Sequence, residues 1–347
     1  MHQPLSRSQL AEMTGLQNST LSHIFRELIA KGLVQSVGKR SSGTVGPKHN
    51  MLTINPDVGW VLGVLLSRWG TRMAMLDFAG KAVGGHEVRT EIERLEDVPA
   101  KLSLELHRWA ERAGEPPGKL LGIGVGVSGS VDPFRGIVLF SNEFDARNVP
   151  LREMIAEECG VNVLIDHDAN IAAVAEAKCG VGKSMGNFLY VLINVRWQAG
   201  RFIDSDHGAS LYLDGGIYRG AHFAAGELDE SMLPPKSPIE GQEQIDALRD
   251  PDAPLPDALR QWARDVGRAL SRLTNFIDPE AIVLGGSLAI RNRSFLAEAT
   301  DQMHQLLIPI KAHRTINLLP SAFGDDCVSV GAAITAAEEA YLTGDIL

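Results

Sequence analysis

The first 32 residues place apolar side chains at the spacing of two short helices. In LSRSQLAEMTGLQNSTLSHIFRELIAKGLV the pattern predicts a first helix over 8–14, which Gly15 ends, and a second helix from an N-cap at Asn18 or Ser19 to Gly32. Apolar residues at i, i+3 and i+4 positions give each helix one buried face. The residues expected on these faces are Leu10, Met13, Leu21, Ile24, Phe25, Leu28 and Ile29.

The next segment changes to a strand pattern. LVQSVGKRSSGTVGPKHNMLTIN predicts a strand, a basic turn rich in glycine and serine, and a second strand. Together with the two helices, this hairpin predicts a winged helix-turn-helix over residues 1–55.

From Asn55 onward the chain alternates between strand and helix patterns. Strands are predicted at GWVLGVLLS, TRMAMLDFAG, LLGIGVGVSGSVDP, NFLYVLINV, ASLYLDGG and AIVLGGS. Helices are predicted over 98–113 and 256–276, the second with Leu259, Trp262, Val266, Leu270 and Leu273 facing inward. The body is therefore predicted to be α/β, with two β-rich halves.

Two segments of this body carry candidate chemistry. VNVLIDHDANIAAVAEAKCG is predicted to be a strand that delivers Asp166, His167 and Asp168 to its carboxyl end, followed by an alanine-rich helix. DSDHGASLYLDGG is predicted to be a tight loop that leads into a strand. Glycine-rich loops of this kind bind phosphate through bare backbone N–H groups, but here Asp204 and Asp206 would repel an anion.

Charge is distributed unevenly between the two parts. Residues 1–55 contain six lysines and arginines and two acids, a formal charge of +4, whereas the whole chain carries −10 and the remainder therefore −14. We expect only the amino-terminal part to meet a polyanion. The side chains predicted to contact DNA are Gln17, Asn18, Ser19, Thr20, Ser22, His23 and Arg26 on the second helix and Lys39, Arg40 and Lys48 on the wing. The alternative is a generic helical hairpin with a solvated charged face.

Composition excludes several classes of protein. Of the 347 residues, 44% are hydrophobic and 22% charged, as in an ordinary globular protein. The sequence shows neither an apolar run of about 18 residues nor a secretion signal, so we expect a cytoplasmic protein without a membrane partner. Cys159, Cys179 and Cys327 are odd in number and far apart. We expect reduced, buried cysteines rather than a disulfide framework or a metal knuckle.

Four ordered segments resemble the ROK family (repressor, open reading frame, kinase): GIGVGVSGSVDP, IDHDANIAAVAEAKCG, GASLYLDGGIYRGAHFAAGEL and DPEAIVLGGSLA. The resemblance implies a two-lobed, actin-like ATPase fold (ribonuclease H-like) over 56–347, with lobe one at about 57–165 plus the C-terminal helix and lobe two at about 166–325. Residues 1–55 resemble the winged helix-turn-helix of bacterial sugar-responsive repressors. Those modules have a helix before LSRSQLAEMTGL, so either translation starts further upstream or the module lacks a third of its core.

The phosphate-binding motifs of ROK kinases are degenerate here. The Asp-x-Gly-Gly-Thr hairpin corresponds to residues 65–69, where the acid, both glycines and the threonine are absent. The second loop, Gly-Thr-Gly-Ile-Gly-Ala-Gly, corresponds to residues 204–210 and keeps Gly208 and Ala209. The adenosine-side VLGGS at 283–287 remains, although packing alone would explain its glycines. Phosphoryl transfer depends on positioned phosphates and metal, so we expect no catalysis and no cofactor.

The sugar side is better preserved. By resemblance, Asp168 occupies the position of the catalytic base, His167 is its neighbour, and Asn142 and Glu227 match sugar-binding residues. Asp168 has the alternative of being only a helix N-cap, and Glu227 of being a solvated loop acid. The Gly-His of the family is replaced by Asp229 and Glu230, which adds a carboxylate to the predicted pocket. The pocket therefore either prefers amino or cationic sugars or is vestigial.

The family's zinc-binding cysteines are absent from ESMLPPKSPIEGQEQ, so no metal is expected. The function predicted is a sugar-responsive regulator, a repressor, that acts on an operator as a homodimer or higher oligomer. A sugar kinase with an amino-terminal arm, and a binding protein whose module docks another protein, are the alternatives.

Overall fold

A computed structural model describes residues 4–40, 49–68, 70–88, 92–113, 118–198, 201–228, 237–310 and 314–343. The N-terminal module, residues 4–55, consists of β1 (Leu5–Ser6), α1 (Arg7–Thr14), α2 (Asn18–Ala30), β2 (Val34–Arg40) and β3 (His49–Ile54). Its strands form an antiparallel sheet in the order β1-β3-β2. Two helices followed by a strand pair are the elements that the sequence predicts for this segment.

The caps of the two helices differ from the prediction. Ser6 caps α1 through a capping box, since the Gln9 backbone N–H donates to Ser6 Oγ and Ser6 N donates to Gln9 Oε1. Helix α2 was predicted to be capped by Asn18 or Ser19, but its cap is Gln17, whose side chain makes no capping hydrogen bond.

The module buries a small core. Leu21, Phe25 and Leu52 are buried, and Leu10, Ala11, Leu28 and Val34 pack against them. Two predicted core residues are instead exposed: Met13 at 71% and Ile29 at 40%. The predicted faces were wider than the surface that this small sheet covers.

Lobe one is the part of the body from residue 59 to 167. Its elements are β4 (Gly59–Leu66), β5 (Thr71–Asp77), β6 (Ala82–Val88), α3 (Val98–Ala113), β7 (Lys119–Val127), β8 (Ser130–Asp132), β9 (Ile137–Ser141), β10 (Ala146–Val149), α4 (Leu151–Cys159) and β11 (Val163–His167). The main sheet has the order β11-β7-β4-β5-β6, while β8, β9 and β10 form a small separate sheet. Strands β4, β7 and β11 are mutually parallel, and their near-continuous apolar residues suit burial on both faces.

Lobe two follows α5 (Asp168–Cys179). Its elements are β12 (Phe188–Gln198), β13 (Arg201–Leu213), β14 (Gly216–Tyr218), α6 (Gln242–Arg249), α7 (Asp257–Ile277), β15 (Ala281–Gly285), α8 (Arg293–Gln305) and β16 (Asn317–Pro320), and the last helix of the described chain is α9 (Cys327–Thr343). The sheet order is β14-β13-β12-β15-β16. Helix α7 lies where it was predicted and buries Leu259, Trp262, Val266 and Leu270.

Helices α5 and α9 lie together between the two sheets. Alanines of α5 and residues 327, 328 and 332 of α9 share one core with Tyr190 and Val283 of lobe two and Leu65 of lobe one. Helix α9 approaches lobe one so closely that a Cβ on Gly63 would lie 1.9 Å from Ser329 O, and one on Gly124 would lie 2.0 Å from Ala332 O. The small residues of both elements therefore allow the helix backbone to rest directly on the sheet.

The N-terminal module rests on the other end of α9. Leu33 and Ile54 of the module pack into a cluster with Phe78, Ala337 and Ala340. The rings of Tyr341 and Phe78 pack at a tilt of 50° with centroids 4.7 Å apart, and the Tyr341 hydroxyl donates to the Phe78 carbonyl. One helix thus has its first turn in the core between the lobes and its last turns beneath the module.

The cysteine prediction is correct for Cys327, half correct for Cys159 and wrong for Cys179. Cys327 is buried, and burial raises the pKa of its thiol to about 11. Cys159 is half-buried, whereas Cys179, at the end of α5, is exposed. None of the helices within the described ranges has both the length and the apolar character that a membrane span requires.

Candidate functional site

His167 and Asp168 occupy the junction between β11 and α5. Both are buried, at 7% and 5% exposure, and His167 Nε2 lies 3.1 Å from Asp168 Oδ1. Asp168 Oδ1 also accepts a hydrogen bond of 2.7 Å from the Ala169 N–H. Asp168 is therefore the first residue of the helix and bonds within its first turn, while the cap position belongs to His167.

Glu227 approaches the same pair from lobe two. Its Oε1 lies 3.8 Å from His167 Nε2, and its side chain is 52% exposed. Strand β13 passes alongside, since a Cβ on Gly208 would lie 3.7 Å from His167 Cε1 and 3.9 Å from Asp168 Oδ1. The structure thus brings together three of the predicted ligand-binding residues: an imidazole and two carboxylates that can exchange hydrogen bonds with a hydroxylated ligand.

The structure does not test the other two predicted ligand-binding residues. Asn142 is exposed after β9, where its carbonyl accepts from the Asp145 N–H. Glu230 lies outside the described residues. Its proposed effect on sugar choice stays a prediction, as does the role of Asn142.

A polar network that the sequence did not predict lies directly behind His167. Asp166 Oδ2 accepts from Arg219 Nη2 at 2.5 Å and from Arg219 Nε at 3.1 Å. Asp166 Oδ1 accepts from the His167 N–H and from Asn170 Nδ2, and Asn170 Oδ1 accepts from Ser210 Oγ at 2.7 Å. The sequence pattern already places Asp166 at the end of this strand, but no local signal marks Arg219 as its partner.

The loop that corresponds to the first phosphate-binding hairpin is closed by an internal carboxylate. Glu143 Oε1 accepts from Ser67 Oγ at 2.9 Å and from the Arg68 N–H at 2.7 Å. The Arg68 side chain donates in turn to the Glu143 carbonyl. A glutamate of lobe one therefore takes donors at a position where kinases hold phosphate.

The predicted tight loop at residues 204–210 is not a loop. Asp204 and Asp206 lie within β13 and pair with Arg196 and Asn194 of β12 in an extended hairpin. Within the described residues, β12 pairs with β15 only as far as Leu192, so the hairpin continues past the body of the sheet. In an antiparallel ladder the N–H groups alternate in direction, whereas a phosphate loop needs several of them to converge on one point.

On the adenosine side, packing explains both retained glycines. A Cβ on Gly285 would lie 1.7 Å from Tyr190 Oη, and a Cβ on Gly286, where φ is +98°, would lie 2.4 Å from Ile193 O. Arg249 covers the following turn by donating to Ser287 O at 2.6 Å and pairing with Asp325 at 3.1 Å. Burial raises the pKa of the Asp325 carboxyl, although Arg249 and Arg72 oppose that shift.

The predicted DNA-contacting residues of α2 lie at its N-cap and in its first three turns. Gln17, Asn18, Ser19, Thr20, His23 and Arg26 are exposed, and Ser22 is half-exposed. Ser22 Oγ donates to Asn18 O, and Arg26 Nε donates to Ser22 O. The backbones of Lys39 and Arg40 belong to β2, while their side chains and all of Lys48 lie outside the described part of the chain.

Within the described ranges, no group of three or more His, Cys, Asp or Glu side chains is arranged to hold a metal ion. Much of the segment that would correspond to the family's zinc site, residues 229–236, lies outside those ranges. The predicted absence of zinc therefore stays a prediction.

Comparisons with known proteins agree with this architecture. A model of the ROK family matches residues 62–239 and 222–339. A xylose repressor from Bacillus spizizenii is 25% identical over 94% of this chain and 90% of its own length, and a glucokinase from Streptomyces coelicolor is 24% identical over 83% of this chain and 98% of its own. The crystal structure of a ROK family transcriptional regulator, described as a homolog of the E. coli MLC protein, superposes with a TM-score of 0.71 at 20% identity, over 99% of this chain and 94% of that one. The predicted two-lobed α/β fold is confirmed.

Proposed function

The chain belongs to the ROK family, and from that premise we propose that it is a sugar-responsive transcriptional repressor without kinase activity. The observation that carries the proposal is the extent of the matches. The repressor and the regulator align with 94% and 99% of the chain, whereas the glucokinase aligns with 83%. A match of 94% or 99% of the chain has to include most of the N-terminal module, which has a charge of +4 and exposed polar residues on α2.

In the proposed function, α2 of the module lies in the major groove. Asn18, Thr20 and His23 are exposed side chains that can hydrogen-bond base edges, and Arg26 and the wing lysines can neutralise phosphates. A homodimer would place two such helices on two half-sites at a fixed spacing.

The state of the nucleotide side supports a non-catalytic body. Glu143 takes the donors of the first loop, β13 replaces the second loop by a strand, and Arg249 covers the turn after Gly286. Phosphoryl transfer relies almost entirely on positioned phosphates and metal, so losing these cradles removes its main source of catalysis.

The effector pocket is proposed at His167, Asp168 and Glu227. Two carboxylates accept hydrogen bonds from sugar hydroxyls, and an ammonium group on the sugar would gain a charge-assisted bond. Isothermal calorimetry with D-xylose, D-glucose and D-glucosamine tests this preference. Tight binding of the neutral sugars alone would exclude a preference for amino sugars.

We propose that the ligand signal reaches DNA through α5 and α9. Helix α5 begins at the pocket and packs so tightly on α9 that a Cβ on Gly331 would lie 2.4 Å from Ile171 O. The far end of α9 carries the module, because Leu33 and Ile54 pack against the cluster that contains Ala337 and Ala340. A ligand that favours one angle between the lobes would shift the population of module positions and release the operator.

Fluorescence anisotropy of the full chain with the DNA upstream of its own gene, against a scrambled duplex, tests DNA binding at two salt concentrations. We expect specific binding that weakens steeply with salt. Arg26→Ala should lower the salt slope by about 1, as expected for the loss of one phosphate contact. Arg293→Ala, which removes an exposed ion pair with Asp252 in lobe two, is the matched control and should bind like the wild type.

Equal binding of both duplexes at every salt concentration would contradict the proposal. An ATP-coupled assay with the same sugars then decides the alternative. Steady turnover that disappears in Asp168→Asn would identify a ROK sugar kinase instead.

A further inference from the structure

Arg219, in the turn after β14, reaches across from lobe two to the end of β11. Its guanidinium places both Nε and Nη2 on a single oxygen of Asp166, and the Asp166 side chain is only 11% exposed. Charge-assisted bonds of this kind are shorter and stronger than neutral ones, and shielding from water strengthens them further. Lobe two is therefore joined to lobe one directly behind the proposed pocket.

The Asp166 end of this pair holds the start of α5. The second Asp166 oxygen accepts from the His167 N–H at 2.8 Å and from Asn170 at 3.1 Å. Asn170 in turn accepts a hydrogen bond from Ser210 of β13. The ion pair thus belongs to a chain of bonds that fixes the backbone carrying His167 and Asp168.

The Arg219 end holds the turn that carries Glu227. The Arg219 carbonyl accepts from the Ala225 N–H at 3.2 Å, and Glu227 N donates to Ala224 O at 3.3 Å. Gly226, at a φ of +94°, brings the turn so close to β13 that a Cβ would be 2.1 Å from Ala209 O.

Lobe one also touches this turn at the rim of the cleft. Ser130 Oγ donates to Phe223 O at 3.1 Å, and the rings of Phe134 and Phe223 have centroids 6.1 Å apart. The Arg219 guanidinium carbon lies 6.0 Å from the Phe134 ring centroid. Arg219 therefore contacts lobe one at two points, one behind the pocket and one at its rim.

We propose that Arg219 is a positioning residue of the effector site, which sets Glu227 against the His167–Asp168 pair and transmits ligand binding to the angle between the lobes. This inference rests on the proposed effector pocket. A substitution that breaks the ion pair frees the turn and the start of α5 at the same time, so the sugar must restore their order when it binds. The cost appears in sugar affinity and in operator release, and not in DNA affinity without sugar.

The variants are Arg219→Gln, which removes the charge, Arg219→Lys, which keeps the charge but not the fork, Asp166→Asn, and the double variant Arg219→Gln/Asp166→Asn. Arg293→Gln is the control, because its exposed pair with Asp252 has the same 2.5 Å separation. We expect Arg219→Gln to need about tenfold more sugar for operator release, Arg219→Lys to recover part of that loss, and the double variant to equal the worse single variant. DNA affinity without sugar should stay within about twofold of the wild type.

Hydrogen exchange of the sugar-free protein separates this inference from the proposed function. Peptides covering 163–172 and 216–228 should exchange faster in Arg219→Gln and Asp166→Asn than in Arg293→Gln. If these peptides exchange as in the wild type, the inference is wrong, whether or not sugar changes DNA binding. Faster exchange in a protein whose DNA binding ignores all three sugars would keep the role of Arg219 in joining the lobes and refute the effector response. Parallel losses of DNA affinity and stability would reduce Arg219 to a structural residue and overturn the proposal.

Discussion

The proposed sugar side and the proposed nucleotide side of the body differ in the contacts that their polar groups make. On the proposed sugar side, buried His167 and Asp168 lie beside Gly208 of β13 and the Glu227 carboxylate of lobe two. On the nucleotide side, the groups that correspond to phosphate- and adenosine-binding groups of a kinase make bonds within the chain instead. They bond to Glu143 or Arg249, or they belong to the β12–β13 ladder. Both sides nevertheless keep the sheets and helices of the two-lobed fold.

The difference shows that the fold does not depend on the nucleotide cradle. Loops can be closed by the chain's own carboxylates and guanidinium groups because these satisfy the same donors and acceptors. The glycines of the nucleotide side persist for a different reason, since Gly285 and Gly286 are required by Tyr190 and Ile193. Residues retained in a motif are therefore weak evidence that the chain still binds the motif's ligand.

The largest expected effect comes from a pair of glycine substitutions, one on each side. Gly286→Ala forces a side chain into a position with a φ of +98° and 2.4 Å from Ile193 O. We expect it to lower the free energy of unfolding by about 3 kcal/mol, because backbone strain and overpacking add. Urea unfolding followed by circular dichroism measures the loss.

Gly208→Ala is the matched change on the sugar side, where the nearest atom to the new Cβ would be 3.6 Å away. Its stability should stay within about 1 kcal/mol of the wild type, since the added methyl makes ordinary contacts and alanine suits a strand better than glycine. Because the methyl faces His167 and Asp168, its effect should appear in sugar affinity instead. Equal destabilisation by both substitutions would contradict the contrast between the two sides.

The sequence was informative where residues that act together are also adjacent in the chain. His167 and Asp168 follow one strand, so their meeting could be predicted. Glu143 and Ser67 lie 76 positions apart, and Arg219 and Asp166 lie 53 apart. Such pairs form only when the tertiary structure places two lobes or two loops together, and no local periodicity encodes them.

The wrong prediction at residues 204–210 has a specific origin. Aligning Gly208 and Ala209 with a phosphate loop implied a tight turn, yet the residues from Arg201 to Leu213 form one continuous strand. The antiparallel partner, β12, pairs with residues between 201 and 212 of that strand, with a register shift between Arg196 and Trp197. The two strands pair where a turn was inferred from two retained residues, Gly208 and Ala209.

A change of intermediate size concerns the carboxylate of Asp168. Asp168→Asn keeps the shape of the side chain and removes its charge, so it should weaken sugar binding by about 2 kcal/mol, the value of one hydrogen bond to a charged group. Asp326→Asn is the same chemical change on the nucleotide side, at a carboxylate that is 60% exposed and pairs with Arg72. Calorimetry should find that this control binds sugar as the wild type does. Unchanged affinity in Asp168→Asn would leave Asp168 only its structural role at the start of α5.

The smallest expected effect concerns pH and the nucleotide side alone. Burial raises the pKa of Asp325 above its ordinary value of 3.8, against the opposing charges of Arg249 and Arg72. A carboxyl whose pKa is higher in the folded than in the unfolded state binds more protons when folded, so its contribution to stability falls as pH rises from about 3.8 through the folded-state pKa. Asp325→Asn removes this term, and the difference in unfolding free energy between variant and wild type should shift in favour of the variant across that window. Thermal unfolding at closely spaced pH values measures the difference, with Asp326→Asn as the neighbouring control. A shift in the opposite direction would mean that the arginines outweigh burial and hold Asp325 as a carboxylate. The Asp325–Arg249 ion pair would then stabilise the nucleotide side, with the Asp325 carboxylate taking the place of a bound anion beside Arg249.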